Sequence, residues 1–404
     1  MRKKHELAAE HIERYADVLL WGLKTARSLS YKAGDIVLLR FDHNALPLAE
    51  ALYDRLIDMK LHAIPRMGQT PRMEYNFFSR ASKRQLVFHP PGDSELMRAL
   101  NGTIYLHAPE SLTHLADIDS KKIGTALVAR KPLREILVKR EEQGLYGWTL
   151  CTYPTAELAK QAGLSFERYS RQIIKACFLD HENPLKQWNE IFKEAEILKK
   201  WLNSLNIRSI RLESKETDLT INPGRQRKWI GVSGHNIPSF EIFISPDWRG
   251  SRGSFYANQP SFRNGNYAEG IRLVFEKGSV ISASAEKGET FLKEQIAIDK
   301  GACRIGEFSL TDRRFSRITA FMADTLFDEN FGGRFGNCHI ALGSSYSDTY
   351  DGEPGTLTKQ RKKQLGFNDS ALHWDLVNTE NKRVTAKIAG GRTVTIYENG
   401  IFTL

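Results

Sequence analysis

The chain is poor in cysteine. Its four thiols, Cys151, Cys177, Cys303 and Cys338, include no CxxC pair that could chelate zinc or run thiol exchange. That usage fits a reducing compartment, and a cytoplasmic location is expected. Long apolar runs are also missing. The basic start, MRKKHELAAEHIERYADVLLWGL, is interrupted by charges, and its longest apolar stretch, Val18 to Gly22, is too short for a signal core or a membrane span. No repeat or low-complexity tract occurs. The excess of 58 Lys+Arg over 48 Asp+Glu leaves a formal charge of +10 and raises nucleic acid as a partner. However, the largest basic clusters, Arg225-Gln-Arg-Lys228 and Lys359-Gln-Arg-Lys-Lys363, are short and carry no interleaved aromatics. Scattered charge of this kind reads as solvated surface, so neither nucleic acid nor membrane is the expected partner.

What is present is a folding composition, 41% hydrophobic and 26% charged over 404 residues, with a mean hydropathy of -0.42. It can form a sizeable core and is too long for one average domain. Leu7, Ile12, Tyr15, Leu19, Leu20 and Leu23 recur at helical spacing. Short β-rich runs follow at 35–41, 61–66, 102–107 and 148–154, with a helical pattern over 46–60 between the first two. A second amphipathic helix is predicted over 184–205, and after Asn206 the chain turns to short strands punctuated by Gly, Asn and Pro. The expected class is α/β: an N-terminal α/β domain with a mostly parallel sheet over 1–183, then an α+β metal-binding catalytic domain over 184–404.

Several familiar motifs fail. His5-Glu6 with His11 spaces the histidines wrongly for one zinc ion, because helical ligands must lie four apart. Gly301 and Gly306 have phosphate-loop spacing, but Glu307 stands where lysine is needed, and Gly231-Val-Ser-Gly-His235 is not a nucleophile elbow. The positive signal is acidic and imidazole side chains inside apolar segments of the second half. In Ala371-Leu-His-Trp-Asp-Leu-Val377, a strand would put His373 and Asp375 on one face and Leu372, Trp374 and Leu376 on the other, in a core. His and Asp side by side suit either a metal ion or a plain buried hydrogen bond. Glu241, Glu307, Glu329 and His339 occur in comparable settings. Burying so many charges without neutralisation would cost several kcal/mol each, which favours a metal site. Four carboxylates and two imidazoles form a hard O/N set with enough negative charge for two divalent ions.

In this order, Asn236-Ile-Pro-Ser-Phe-Glu-Ile-Phe243, Ile305-Gly-Glu-Phe-Ser-Leu310, Thr325-Leu-Phe-Asp-Glu-Asn330, His339-Ile-Ala-Leu-Gly343 with Tyr346, and His373-Trp-Asp375 resemble the thermophilic aminopeptidase T and S family of two-metal peptidases, with its staphylococcal and streptococcal members. The resemblance implies a cytosolic homodimer that removes N-terminal residues from peptides with a free N-terminus, using two divalent ions such as zinc, cobalt, manganese or magnesium. It implies Glu241, Glu307, Glu329, His339, His373 and Asp375 as metal-binding positions, with Glu307 between the ions, and Tyr346 as a tyrosine held near them. Two departures stand out: Phe240 where the family has a small residue, and the 331–337 glycine loop in place of a shorter link. With Trp374 between two ligands, these departures are expected to bear on side-chain preference rather than on the metal chemistry.

In that reading the ions activate a shared water, Glu307 accepts its proton and passes it to the leaving amine, and Tyr346 hydrogen-bonds the tetrahedral oxyanion. The competing readings are a basic nucleic-acid-binding protein with an incidental metal site, and a two-metal phosphoesterase.

Overall fold

The computed structural model describes residues 7–404; His5 and Glu6 of the rejected histidine spacing lie outside the described residues. The chain opens with the helix Ala9–Thr25, which buries Tyr15, Val18, Leu19 and Leu23 along one face. A five-stranded parallel sheet follows, in the order His62–Met67, Ile36–Phe41, Gly102–His107, Gly147–Thr152, Asn236–Ile237. The predicted helices form over Leu46–Asp58 and Pro184–Ser204, each entered through a proline near its first turn.

The longest helix, Ser120–Glu142, has no counterpart in the apolar pattern. It buries Ile123, Gly124 and Ala126 near its start and is otherwise largely exposed or half-buried. Its apolar contacts are split rather than gathered on one face: Ile123 and Ala126 pack with Phe78, Leu86 and Leu115, and Leu137 packs against Leu100 and Tyr146. Arg134 donates to the carbonyls of Ser370 and Ala371. Lys131 pairs with Asp369, and Glu135 and Glu142 pair with Lys359 and Lys362. The helix thus straps the first half of the chain to the segment that leads into His373.

The second half contains two antiparallel sheets and a short hairpin. The larger has eight strands, beginning at Ser279–Ser284 on one edge and ending at Ile401–Phe402 on the other. The smaller has the order His373–Asn378, Asn337–Gly343, Ile305–Thr311, Glu241–Ile244, Ile230–Gly231. Inward residues of both meet in one core that includes Leu212, Leu219, Phe308, Leu310, Ile340 and Trp374. The halves interlock. Ile237, Phe240, Ile318, Met322 and Phe327 are buried with Leu19, Ile104 and Cys151 in the core around the parallel sheet.

Candidate metal centre

Register puts the chemistry on one face of the smaller sheet. Ser309 lies opposite His339, and Thr311 lies opposite Glu241. Ala341 lies opposite both Glu307 and Asp375, and Gly343 lies opposite His373. Directly opposed residues share a face, and so do residues two apart along a strand. Glu241, Glu307, His339, His373 and Asp375 therefore point the same way, while Ile242, Phe308, Ile340, Trp374 and Leu376 fill the core behind them. Two glycines permit the local geometry. A side chain on Gly306 would meet the carbonyl oxygens of Gly343 and Ser344, and Gly343 itself has φ +106 against the Leu372 carbonyl.

Glu329 arrives from outside the sheet. It follows the one-turn helix Thr325–Asp328, whose Asp324 cap accepts from Phe327 N. Asn236 Nδ2 donates to Glu329 Oε1 at 3.0 Å. The strand-like setting expected for Glu329 is thus replaced by a helix end, because Asp324 offers a cap that competes with extension.

His339 Nε2 stands 3.3 Å from Glu241 Oε2, 3.2 Å from Glu307 Oε1 and 3.9 Å from Asp375 Oδ1. His373 Nε2 stands 3.3 Å from Asp375 Oδ1 and 3.8 Å from Glu307 Oε2. The other ring nitrogen of His373 faces the Ser344 carbonyl at 2.9 Å, which orients Nε2 toward the carboxylates. Ser309 Oγ donates to Glu241 Oε2 at 3.0 Å. Donor atoms of Glu241, Glu307 and His339 lie within 4.8 Å of one another, as do those of Glu329, His339 and Asp375. The six residues read from the sequence are therefore brought together, with Tyr346 beside them at 4.7 Å between its ring and that of His373.

The electrostatics fit divalent cations. Burial, together with Glu307 and Asp375, pushes the Glu241 carboxyl up to about 7. Burial and the same crowd of carboxylates push Glu329 well above the usual range. Burial alone would lower His339, but Glu307, Glu241 and Asp375 raise it to about 9. Asp375 resists burial because His373 and His339 hold it down at about 2. Burial, then Glu307, Asp375 and Glu329, keep the Tyr346 hydroxyl protonated. Among the described residues, the ion pairs of Glu241, Glu307 and Asp375 are all with imidazoles. Cations in the two clusters would relieve this repulsion.

The cluster lies on a cavity of about 370 Å³ between the smaller sheet and the carboxyl ends of the parallel strands. Its far wall contains Tyr105, His107, Trp148 and Thr152, with Glu141, Ser233, His235 and Asp348 alongside. None of these was singled out as a site residue from the sequence. His107 and Thr152 end parallel strands, the position where α/β sheets bind ligands, and that was the available signal.

Phe240, Trp374 and the 331–337 loop do not line this cavity. Phe240 stacks on Trp188 at 5.6 Å, and Trp374 donates to Ser261 Oγ from within the core. The loop is tied down: Asn337 Nδ2 donates to the Phe331 carbonyl, Gly336 N to the Gly332 carbonyl, and Tyr397 and Lys382 to the Phe335 carbonyl. The basic clusters also close on the protein itself. Arg227 stacks on Phe367 at 3.3 Å, and Arg361 donates to Gln226. No helix of the described residues is long and apolar enough to cross a membrane.

A model of the family described as thermophilic metalloprotease (M29) matches residues 8–402. Aminopeptidase PepS of Streptococcus thermophilus is 27% identical over 97% of both chains. Aminopeptidase AmpS of Bacillus subtilis is 29% identical over 63% of this chain and 62% of that one. Aminopeptidase T of Thermus aquaticus is 26% identical over 71% of this chain and 72% of that one. Wild-type AmpT from Thermus thermophilus superposes with a TM-score of 0.77 at 21% identity, covering 98% of this chain and 99% of that one.

Proposed function

Since the chain belongs to the thermophilic metalloprotease family M29 and is a metalloaminopeptidase, we propose that it hydrolyses the N-terminal bond of peptides with water activated by two divalent ions held by Glu241, Glu307, Glu329, His339, His373 and Asp375. The observation that carries this reading is the convergence of five of these donors in two clusters that share His339, with His373 Nε2 3.3 Å from Asp375 and 3.8 Å from Glu307. Zinc, cobalt, manganese and magnesium are the candidate ions. When bound, such ions lower the pKa of a water molecule and polarise a carbonyl.

The chain's own groups supply the rest. Glu307, in the middle of the cluster, accepts the proton of the attacking water on a carboxylate oxygen and returns it to the leaving amine. Tyr346 keeps its proton and donates a hydrogen bond to the oxygen of the tetrahedral intermediate. The imidazoles of His339 and His373 and the hydroxyl of Ser309 fix the carboxylates in place. The same reading includes the division into 1–183 and 184–404, a homodimer, and a cytoplasmic location. A sedimentation mass of a single 46.0 kDa chain would remove the dimer.

The test is a panel of aminoacyl p-nitroanilides and di- to hexapeptides, assayed before and after chelation and after metals are returned, alongside elemental analysis. The expected result is chelator-sensitive release of N-terminal residues with two equivalents of metal per chain. Activity that survives chelation would sink the metal reading, and full activity at one equivalent would sink the second ion.

A further inference from the structure

We propose that Asp348 is the carboxylate that receives the α-ammonium group of the peptide substrate. This inference rests on the aminopeptidase reading and adds the residue that makes the cavity select a free N-terminus. Asp348 sits on the short 3₁₀ turn Ser347–Thr349, two residues beyond Tyr346, and lines the same cavity as Glu307 and Tyr346. The turn is held on both sides: Tyr346 N donates to Ser245 Oγ, Thr349 Oγ1 donates to the Tyr346 carbonyl, and Lys228 N donates to the Thr349 carbonyl.

The other carboxylates on the cavity wall are already engaged. Asp324 accepts from Thr152 Oγ1 and Phe327 N, and Glu329 accepts from Asn236. Glu141 accepts from Trp148 Nε1 and stands 2.9 Å from His235 Nε2, whose other nitrogen meets Ser233 Oγ at 2.7 Å. Asp348 Oδ1, by contrast, is buried and has no hydrogen-bond partner. Burial, with Glu141 and Glu307 nearby, pushes the Asp348 carboxyl up to about 7 against the opposing pull of His235. A cation beside this carboxyl would favour its ionised form.

A metal ion is the wrong cation here. Among the described residues, the groups of donor atoms that converge within 4.8 Å are the two that share His339, and neither contains Asp348. An ammonium group needs only hydrogen-bond acceptors on one side, and a peptide whose carbonyl lies beside Glu307 and Tyr346 carries its α-ammonium a short distance away.

The experiment uses the metal-loaded enzyme. Hydrolysis of leucine p-nitroanilide by Asp348→Asn should show KM raised at least 10-fold with kcat within about threefold and metal content unchanged. Inhibition by 3-methylbutan-1-amine should weaken by a similar factor, while the uncharged 3-methylbutan-1-ol should inhibit both proteins equally. Asp348→Glu should recover most of the amine affinity, and Asp348→Ser serves if the asparagine variant does not fold. Equal amine inhibition of wild type and variant would overturn the assignment. Should the wild type hydrolyse no aminoacyl substrate, the aminopeptidase reading falls, and amine binding measured by NMR on the same two proteins still decides whether Asp348 holds an ammonium group.

Discussion

Glu307 and Tyr346 differ in what their removal should do. Glu307→Gln keeps the shape but loses the proton acceptor, so turnover should fall by at least about 10³-fold; peptidase activity near wild type in a metal-loaded variant would refute its role. Tyr346→Phe removes one oxyanion donor, and kcat should fall by about 10²-fold with little change in KM. At this scale the sequence was most legible where side chains alternate. His373 and Asp375 flank Trp374, and the alternation that hides the indole in the core presents both ligands to the cavity. Asp348 and His235 were not legible, because their significance comes from elements far apart in the chain. The Gly231-Val-Ser-Gly-His235 segment was rejected for one chemistry and still delivers Ser233 and His235 to the cavity wall.

The sheet that gathers the ligands also stores like charge, which makes metal binding and pH interdependent. Glu241, raised from 4.5 to about 7, favours the folded apo-protein while protonated, and that stability is lost as pH rises through 7. His339, raised from 6.5 to about 9, contributes fully below 6.5, and its contribution is lost as pH rises through 9. Asp375, depressed to about 2, loses its contribution only in strong acid. Metal ions replace the protons held by Glu241 and His339. The rise in Tm on adding metal should therefore be larger at about pH 8.5 than at about pH 6, and a pH-independent rise in calorimetry would contradict this electrostatic account. Core and cavity faces should also separate in kinetics. Trp374→Phe should leave the preference for the N-terminal residue unchanged, whereas Phe262→Ala, on the cavity wall, should shift it; the ratio of kcat/KM for phenylalanyl and alanyl substrates reports both. Strands with alternating apolar residues were visible from sequence in this way, but the Ser120–Glu142 helix was not, since its apolar residues split between two small clusters, Ile123 and Ala126 with Phe78, Leu86 and Leu115, and Leu137 with Leu100 and Tyr146.

Over the whole molecule, an α/β region followed by an α+β region of short strands could be read from the chain, while the antiparallel pairing of those strands and the interlocking of the halves could not. Nothing local in Asn236-Ile237 announces a strand that joins a parallel sheet built from residues much earlier in sequence. The same few residues run on through Pro238 and Phe240 into Glu241, so the sheet edge and the first metal-site strand form one continuous piece of chain. This has a consequence during synthesis. A nascent chain that has emerged only as far as residue 183 presents Gly147–Thr152 as an open edge and lacks Phe240, Met322 and Phe327 from its core. The first half must then wait, incompletely sealed, for the second, and the amino-terminal fragment expressed alone should aggregate where the full chain stays in solution. Light scattering of the two products would show it, and a monodisperse, cooperatively unfolding fragment would show that the early sheet closes without help.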